Sequence, residues 1–276
     1  MGLLERIPHI PMSAPMGSVF GIPIRLHMMF LMVLGMQLMG AMYYGGQYVF
    51  LWFILLGPVL LLTVLVHELG HCLAARSVGG EVSGILLWPL GGMAFVGHTA
   101  GPKADMWVAV AGPLTHVPML GVWLLLLLPA FHATAGSWAI NLAMPYPSWG
   151  WAMWRAICVG AIWMNITLFA FNLLVPAYPL DGGRLLVDGL LAMGVEPRRT
   201  AIITVCVALP LAGGILAWGI IVFQMVTIMV AVFILWSVFQ LIQAIRNDTL
   251  AQHPLFATSS GPEDTGPYFK FNSGGV

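Results

Sequence analysis

The chain has 276 residues, of which 60 % are apolar and only 7 % charged, with a mean hydropathy of +0.94. That balance excludes an ordinary soluble domain, and ten basic against ten acidic residues exclude an electrostatic nucleic-acid partner. Cys72, Cys158 and Cys206 lie in apolar stretches without CxxC spacing, so they read as packing residues rather than disulfide partners or a thiolate metal site.

In chain order, residues 1–23 are broken by Pro8, Pro11, Pro15 and Pro23 and lack an apolar core followed by a small-residue cleavage site. They read as an irregular N-terminal arm rather than a removable signal peptide. Runs of about 20 apolar residues, the length that crosses a bilayer as a helix, follow at 24–44, 49–76, 107–128, 152–175, 199–219 and 221–245. The expected fold is an all-α integral membrane protein with six transmembrane helices in one domain, 24–245. The boundary between the last two spans is the least defined, and one long broken helix with five crossings is the alternative. Residues 246–276 are polar and rich in Gly, Pro and Ser, which predicts a flexible tail.

The basic residues orient these spans. With six crossings, every Lys and Arg except Arg155 falls on one side, as expected of a cytoplasmic face. Both termini are then cytoplasmic, or on the equivalent side of an organelle. The stretch SWAINLAMPYPSWGWAMW (137–154) would form an aromatic belt at the opposite interface.

The chemistry concentrates in the second span, VLLLTVLVHELGHCLAAR (59–76). His67 and His71 are four apart, so on a helix they share a face at a spacing one zinc ion can bridge. Glu68 lies on the flank, able to touch a metal-activated water without being a ligand. A charged Glu near mid-membrane costs roughly 2.5–3.5 kcal/mol on insertion scales, which argues for use. A third protein ligand is needed, and Asp181 in NLLVPAYPLDGGRLL (172–186) is the best candidate. Spans two and four both run inward, so the two histidines and Asp181 reach the same membrane face. Pro176 and Pro179 end helical pairing, and Gly182-Gly183 is read as a tight turn that lets Asp181 project back into the bundle. His27, His98 and His116 each stand alone and are read as structural or interfacial. Met28, Met29 and Phe30 are read as lipid-facing or packing residues.

HELGH at 67–71, PLGG at 89–92, AGPL at 111–114 and NLLVPAYPLDGGR at 172–184 together resemble the site-2 protease family of membrane zinc metalloproteases. The resemblance covers roughly residues 17–245. It implies Zn2+ held by His67, His71 and Asp181, with Glu68 as general base and Asn172 close to the catalytic centre. A polar link between helices is the alternative reading of Asn172. The resemblance also implies that the segment around Gly91 and Gly92 is a re-entrant hairpin after the second span, with an edge that holds extended substrate. There is no room between spans for a PDZ domain and no recognisable cystathionine-synthase-type domain at the end, so the minimal, sporulation-type subgroup is the nearer match.

The activity expected is hydrolysis of a peptide bond within or near a transmembrane helix of a membrane-protein substrate, with a regulatory membrane partner left open. A membrane metal transporter is the alternative, but the other spans carry only lone histidines. A catalytically silent scaffold would have lost a ligand or the Glu, and none is missing.

Overall fold

The computed structural model describes residues 11–98, 100–135 and 141–256. Residues 1–10 of the expected arm, 137–140 of the expected aromatic belt and 257–276 of the expected tail lie outside them. The described chain is mainly helical. Five helical stretches are long and apolar enough to cross a membrane: Gly46–Ser77, Pro102–Thr134, Trp151–Leu174, Pro197–Ile221 and Met225–Arg246. A shorter apolar helix, Met28–Tyr44, precedes them.

The all-α expectation gives way to helices plus a four-stranded sheet. Strands β1 (Ser13–Val19), β2 (Ile22–His27), β3 (Glu81–Trp88) and β4 (Gly91–Gly97) lie in that order. β1 and β2 pair antiparallel, β2 and β3 parallel, β3 and β4 antiparallel. The arm expected to be irregular is thus a β-hairpin over its second half. Its turn is Phe20-Gly21, both at positive φ, which matches the right-handed twist of the flanking strands. The prolines that suggested disorder are accommodated: Pro15 lies in an edge strand beside a register shift. Pro23 precedes the stretch 24–26 that pairs with β3, so no ladder bond to β3 is lost there.

Helices α1 (Met28–Ala41), α2 (Gly46–Ile54) and α3 (Leu60–Ser77) follow the hairpin. A π turn at Leu55–Val59 joins α2 to α3, with Pro58 inside it and Gly57 at non-helical angles. A proline there removes a backbone donor and crowds the preceding turn, which accounts for the break. The third expected span is two helices, α4 (Pro102–Leu114) and α5 (His116–Ala135), broken at Thr115. α6 (Trp151–Leu174), α7 (Asp181–Ala192), α8 (Pro197–Ile221) and α9 (Met225–Arg246) complete the body.

The uncertain boundary near residue 221 resolves into a helical hairpin. Ala208 and Ala212 of α8 pack on Ile234 and Val238 of α9, and Gly219 abuts Ile228, an antiparallel match along the pair. Past α9 the chain stays folded through Phe256. Leu255 and Phe256 are buried beside Val187 of α7 and Ala201 of α8. The inner face of the sheet (Ile22, Ile24, Ile85, Leu87) packs on Val64, Leu69 and Cys72, so the strands lie directly against α3.

Candidate metal centre

α3 places His67 and His71 one turn apart and buries both, with Glu68 between them also buried. Asp181 is the first residue of α7, reached from α6 through the turn at 175–180. The two glycines after it act differently from the sequence expectation. They are the first turn of the helix and not at positive φ. A Cβ on Gly182 would meet the Val175 carbonyl oxygen at 2.6 Å, and one on Gly183 the Tyr178 nitrogen at 2.3 Å. Glycine here lets the start of α7 sit down on the turn that precedes it, which aims Asp181 inward.

The three donors then converge. His67 Nε2 and His71 Nε2 are 3.1 Å apart. Asp181 Oδ2 lies 3.2 Å from His67 Nε2, and Oδ1 lies 3.3 Å from His71 Nε2. Among the described residues, this trio is the one group of three His, Cys, Asp or Glu side chains close enough to hold a metal ion. Side chains from two segments far apart in sequence thus lie together.

The hydrogen bonds around the histidines assign their protons. His71 Nδ1 lies 2.7 Å from the Val108 carbonyl oxygen, which only accepts, so Nδ1–H donates and the neutral imidazole presents its lone pair at Nε2. Asn165 Nδ2 donates to the Ala161 carbonyl at 2.9 Å, which turns its Oδ1 toward His116 Nδ1, also 2.9 Å away. His116 Nδ1 therefore donates, and its Nε2 accepts from His67 Nδ1–H across 3.2 Å. In its neutral form His67 likewise presents its lone pair at Nε2. Two imidazole lone pairs and a carboxylate face one another about 3 Å apart in a buried space. A cation between them, either a metal ion or a proton shared with Asp181, offsets their repulsion. Tetrahedral zinc with bonds of ~2.0–2.1 Å sets its ligand atoms about 3.3 Å apart, close to the His67–His71 spacing and to the distance from each histidine to its nearer Asp181 oxygen. The donor set fits zinc.

Glu68 stands against the edge strand β4. A Cβ on Gly92 would lie 2.3 Å from Glu68 Cγ, and the Ala94 amide donates to the carboxylate. The strand thereby fixes the Glu68 side chain while leaving the metal site to the histidines and Asp181.

His116 and Asn165 escaped the sequence reading. His116 was assigned a structural or interfacial role, yet it touches His67; Asn165 is fully buried behind it. The usable signal was a polar residue inside each of two apolar helices, which in a membrane protein is a functional position by default. Asn172 is half-buried near the end of α6 and makes no side-chain hydrogen bond to the described residues.

Comparison with known proteins agrees with this geometry. The chain is 26 % identical over 238 residues to a zinc metalloprotease of Methanocaldococcus jannaschii, covering 84 % of this chain and 61 % of that protein. It is 34 % identical over 186 residues to Rip3 of Mycobacterium tuberculosis, covering 63 % and 42 %. The chain thus spans less than two thirds of the length of either relative. Among solved structures, a site-2 protease from Methanocaldococcus jannaschii superposes with a TM-score of 0.54 at 25 % identity, covering 83 % of this chain and 94 % of that one. Residues 54–216, more than half the chain and including His67, His71 and Asp181, match the family model described as peptidase family M50. With that match running through every donor of the metal centre, the chain belongs to peptidase family M50.

Proposed function

We propose that this chain is a zinc-dependent endopeptidase that hydrolyses a peptide bond in or beside a membrane-spanning helix of a protein substrate. The observation that carries the reading is the set of bare donors on His67, His71 and Asp181, with Glu68 alongside and apolar helices around them.

Zinc bound there supplies Lewis acidity, drawing electron density from the scissile carbonyl and making a water molecule acidic near neutral pH. His67 and His71 keep their Nε2 atoms aimed because their Nδ1–H groups are tied to His116 and to the Val108 carbonyl. Glu68 takes a proton from the attacking water and returns it to the leaving amine. Asn172, with its amide free at the end of α6, is placed by analogy with the family to hold the developing oxyanion.

A helical substrate has every backbone carbonyl paired, so it must unwind before attack. β4 is an edge strand that passes Glu68 at Gly92 and Ala94. An extended segment added to that edge would lay its carbonyls beside the site. The β3–β4 hairpin would then be re-entrant, and the substrate a helix weakened by Gly, Pro or polar residues.

The frame proposed for this activity is six crossings with both termini on the basic, cytoplasmic side. Met28–Tyr44 is the shortest, about 25 Å at 1.5 Å per residue, near the lower limit for a span.

Glu68→Gln tests the chemistry. Gln keeps the size of Glu but cannot take a proton at neutral pH. Cleavage of a single-span substrate in liposomes should be lost while zinc stays near one per chain. Cleavage at the wild-type rate by this variant would overturn the mechanism.

A further inference from the structure

One face of α7 is polar and turned inward. Asp181, Arg184 and Asp188 recur at i, i+3 and i+7, which aligns them along the helix. Asp188 is 1 % exposed, deeper than the donor Asp181 itself. Opposite them lies α4, whose first turn carries Asp105, also buried. Arg184 Nη2 donates to Asp105 Oδ1, and His98, the residue after β4, places Nε2 3.2 Å from the same oxygen. The Asp188 carboxyl lies against Asp105 as well. Burial, together with the neighbouring Asp105 charge, pushes Asp188 up to about 8 against the opposing pull of Arg184. The cluster is therefore centred on the ion pair of Asp105 with Arg184, with His98 and the Asp188 carboxyl against the same Asp105.

The same face of α4 continues to the metal centre. Val108, three residues on from Asp105, gives its carbonyl to His71. Gly112, four further, lies under the His71 ring, where a Cβ would come within 2.2 Å of Nε2. A single helix face thus grips both donor-bearing elements: α3 through Val108 and Gly112 against His71, and α7 through Asp105.

A buried ion pair is poor value as a stabiliser, because desolvation cancels most of the attraction. Its directionality is what an apolar contact lacks. α7 has 12 residues; the Gly182-Gly183 seat on the preceding turn fixes only its first turn, and beyond that its packing through Val187 is apolar and tolerates rotation and slip. A rotation of α7 by one residue would swing Asp181 by about 100°.

We propose that Asp105 and Arg184 are a positioning pair that sets the rotation of α7 and so brings Asp181 into register with His67 and His71. Neither residue ligates the metal. The proposal rests on the reading of that trio as a zinc site.

The test uses purified full-length protein and zinc alone as probe. Zinc affinity is measured by competition with a chelator, and thermal unfolding is recorded for the metal-free protein. Arg184→Met strands the Asp105 charge and should weaken zinc binding by about 10–100-fold. It also lowers metal-free stability, so Asp105→Asn with Arg184→Met carries the decision, since the pair is then removed without a stranded charge. In this double variant, metal-free unfolding should return toward wild type while zinc affinity stays at least tenfold weak. A double variant that binds zinc as tightly as wild type overturns the proposal and leaves the pair a structural contact. A wild-type chain with no zinc affinity would overturn the metal reading beneath it, a result distinct from the first.

Discussion

Gly112→Ala is the sharpest test of the packing around the metal centre. A Cβ at this position would lie 2.2 Å from His71 Nε2, 2.4 Å from Cε1 and 2.8 Å from Cδ2. Ordinary contact begins at 3.4 Å, so the ring must retreat by about 1.2 Å. Zinc–ligand distances tolerate only about 0.2 Å. The ring cannot tilt freely, because His71 Nδ1 is held 2.7 Å from the carbonyl of Val108 on the same helix. Nor can α4 back away without loss, since α3 presses Gly70 against the Ala111 carbonyl, where a Cβ would come within 2.6 Å. The added methyl should cost about 1–3 kcal/mol of overpacking. It should also move Nε2 off the metal, with turnover falling on the order of 100-fold, about 2.7 kcal/mol of transition-state stabilisation. Zinc per chain in the purified variant and cleavage of a single-span substrate in liposomes are the assays. Gly121→Ala on α5, where a Cβ meets open space, is the control and should match wild type in both. Full zinc occupancy with wild-type turnover in Gly112→Ala would refute the assignment of His71 Nε2 as a ligand atom.

Replacing His116 by Leu removes the acceptor for His67 Nδ1–H and strands Asn165 Oδ1; zinc affinity, read by chelator competition, should fall about 10–100-fold. Unchanged affinity would mean that the Asn165–His116–His67 chain does not fix the tautomer of the ligand. His253, buried against Tyr178 just before the Asp181 turn, is depressed by burial to about 4. Its unfolded value is higher, so the stability it lends is fully present above about pH 6.5 and is lost as pH falls toward 4, by at most about 3 kcal/mol. Hydrogen-exchange protection of residues 250–256, corrected for intrinsic rates, should therefore drop between pH 7 and 4 in wild type. His253→Phe should flatten that dependence, and an equal drop in the variant would assign it elsewhere.

What was legible in the sequence was whatever repeats within one segment. His67 and His71 are visible because a helix puts residues four apart on one face, and Glu68 because it is a charge in an apolar run. Asp181 was found because its segment is short, punctuated by proline and glycine, and falls at the depth the topology required. His116 and Asn165 were hidden because each is a single polar residue whose partner lies on another helix, 49 positions away. The N-terminal hairpin was hidden for a different reason. Proline is a breaker by propensity, but an edge strand with a register shift has no bond for it to break.

Arg184 shows how a correct count can miss a role. In the sequence it is one more basic residue beyond the fourth span, useful for sidedness. In the fold its guanidinium lies against Asp105 and is not a free surface charge. The signal was present: Asp181, Arg184 and Asp188 at i, i+3 and i+7 form a polar stripe, whose opposite face, Leu186 and Leu190, is apolar. On a soluble protein such a stripe faces water. In a chain this apolar it can face inward instead, because the lipid side takes the leucines, and buried carboxylates then need a partner within reach. Polar stripes on short helices of membrane proteins are therefore candidates for the frame of a site, and the residue to seek is the opposite charge on the next helix.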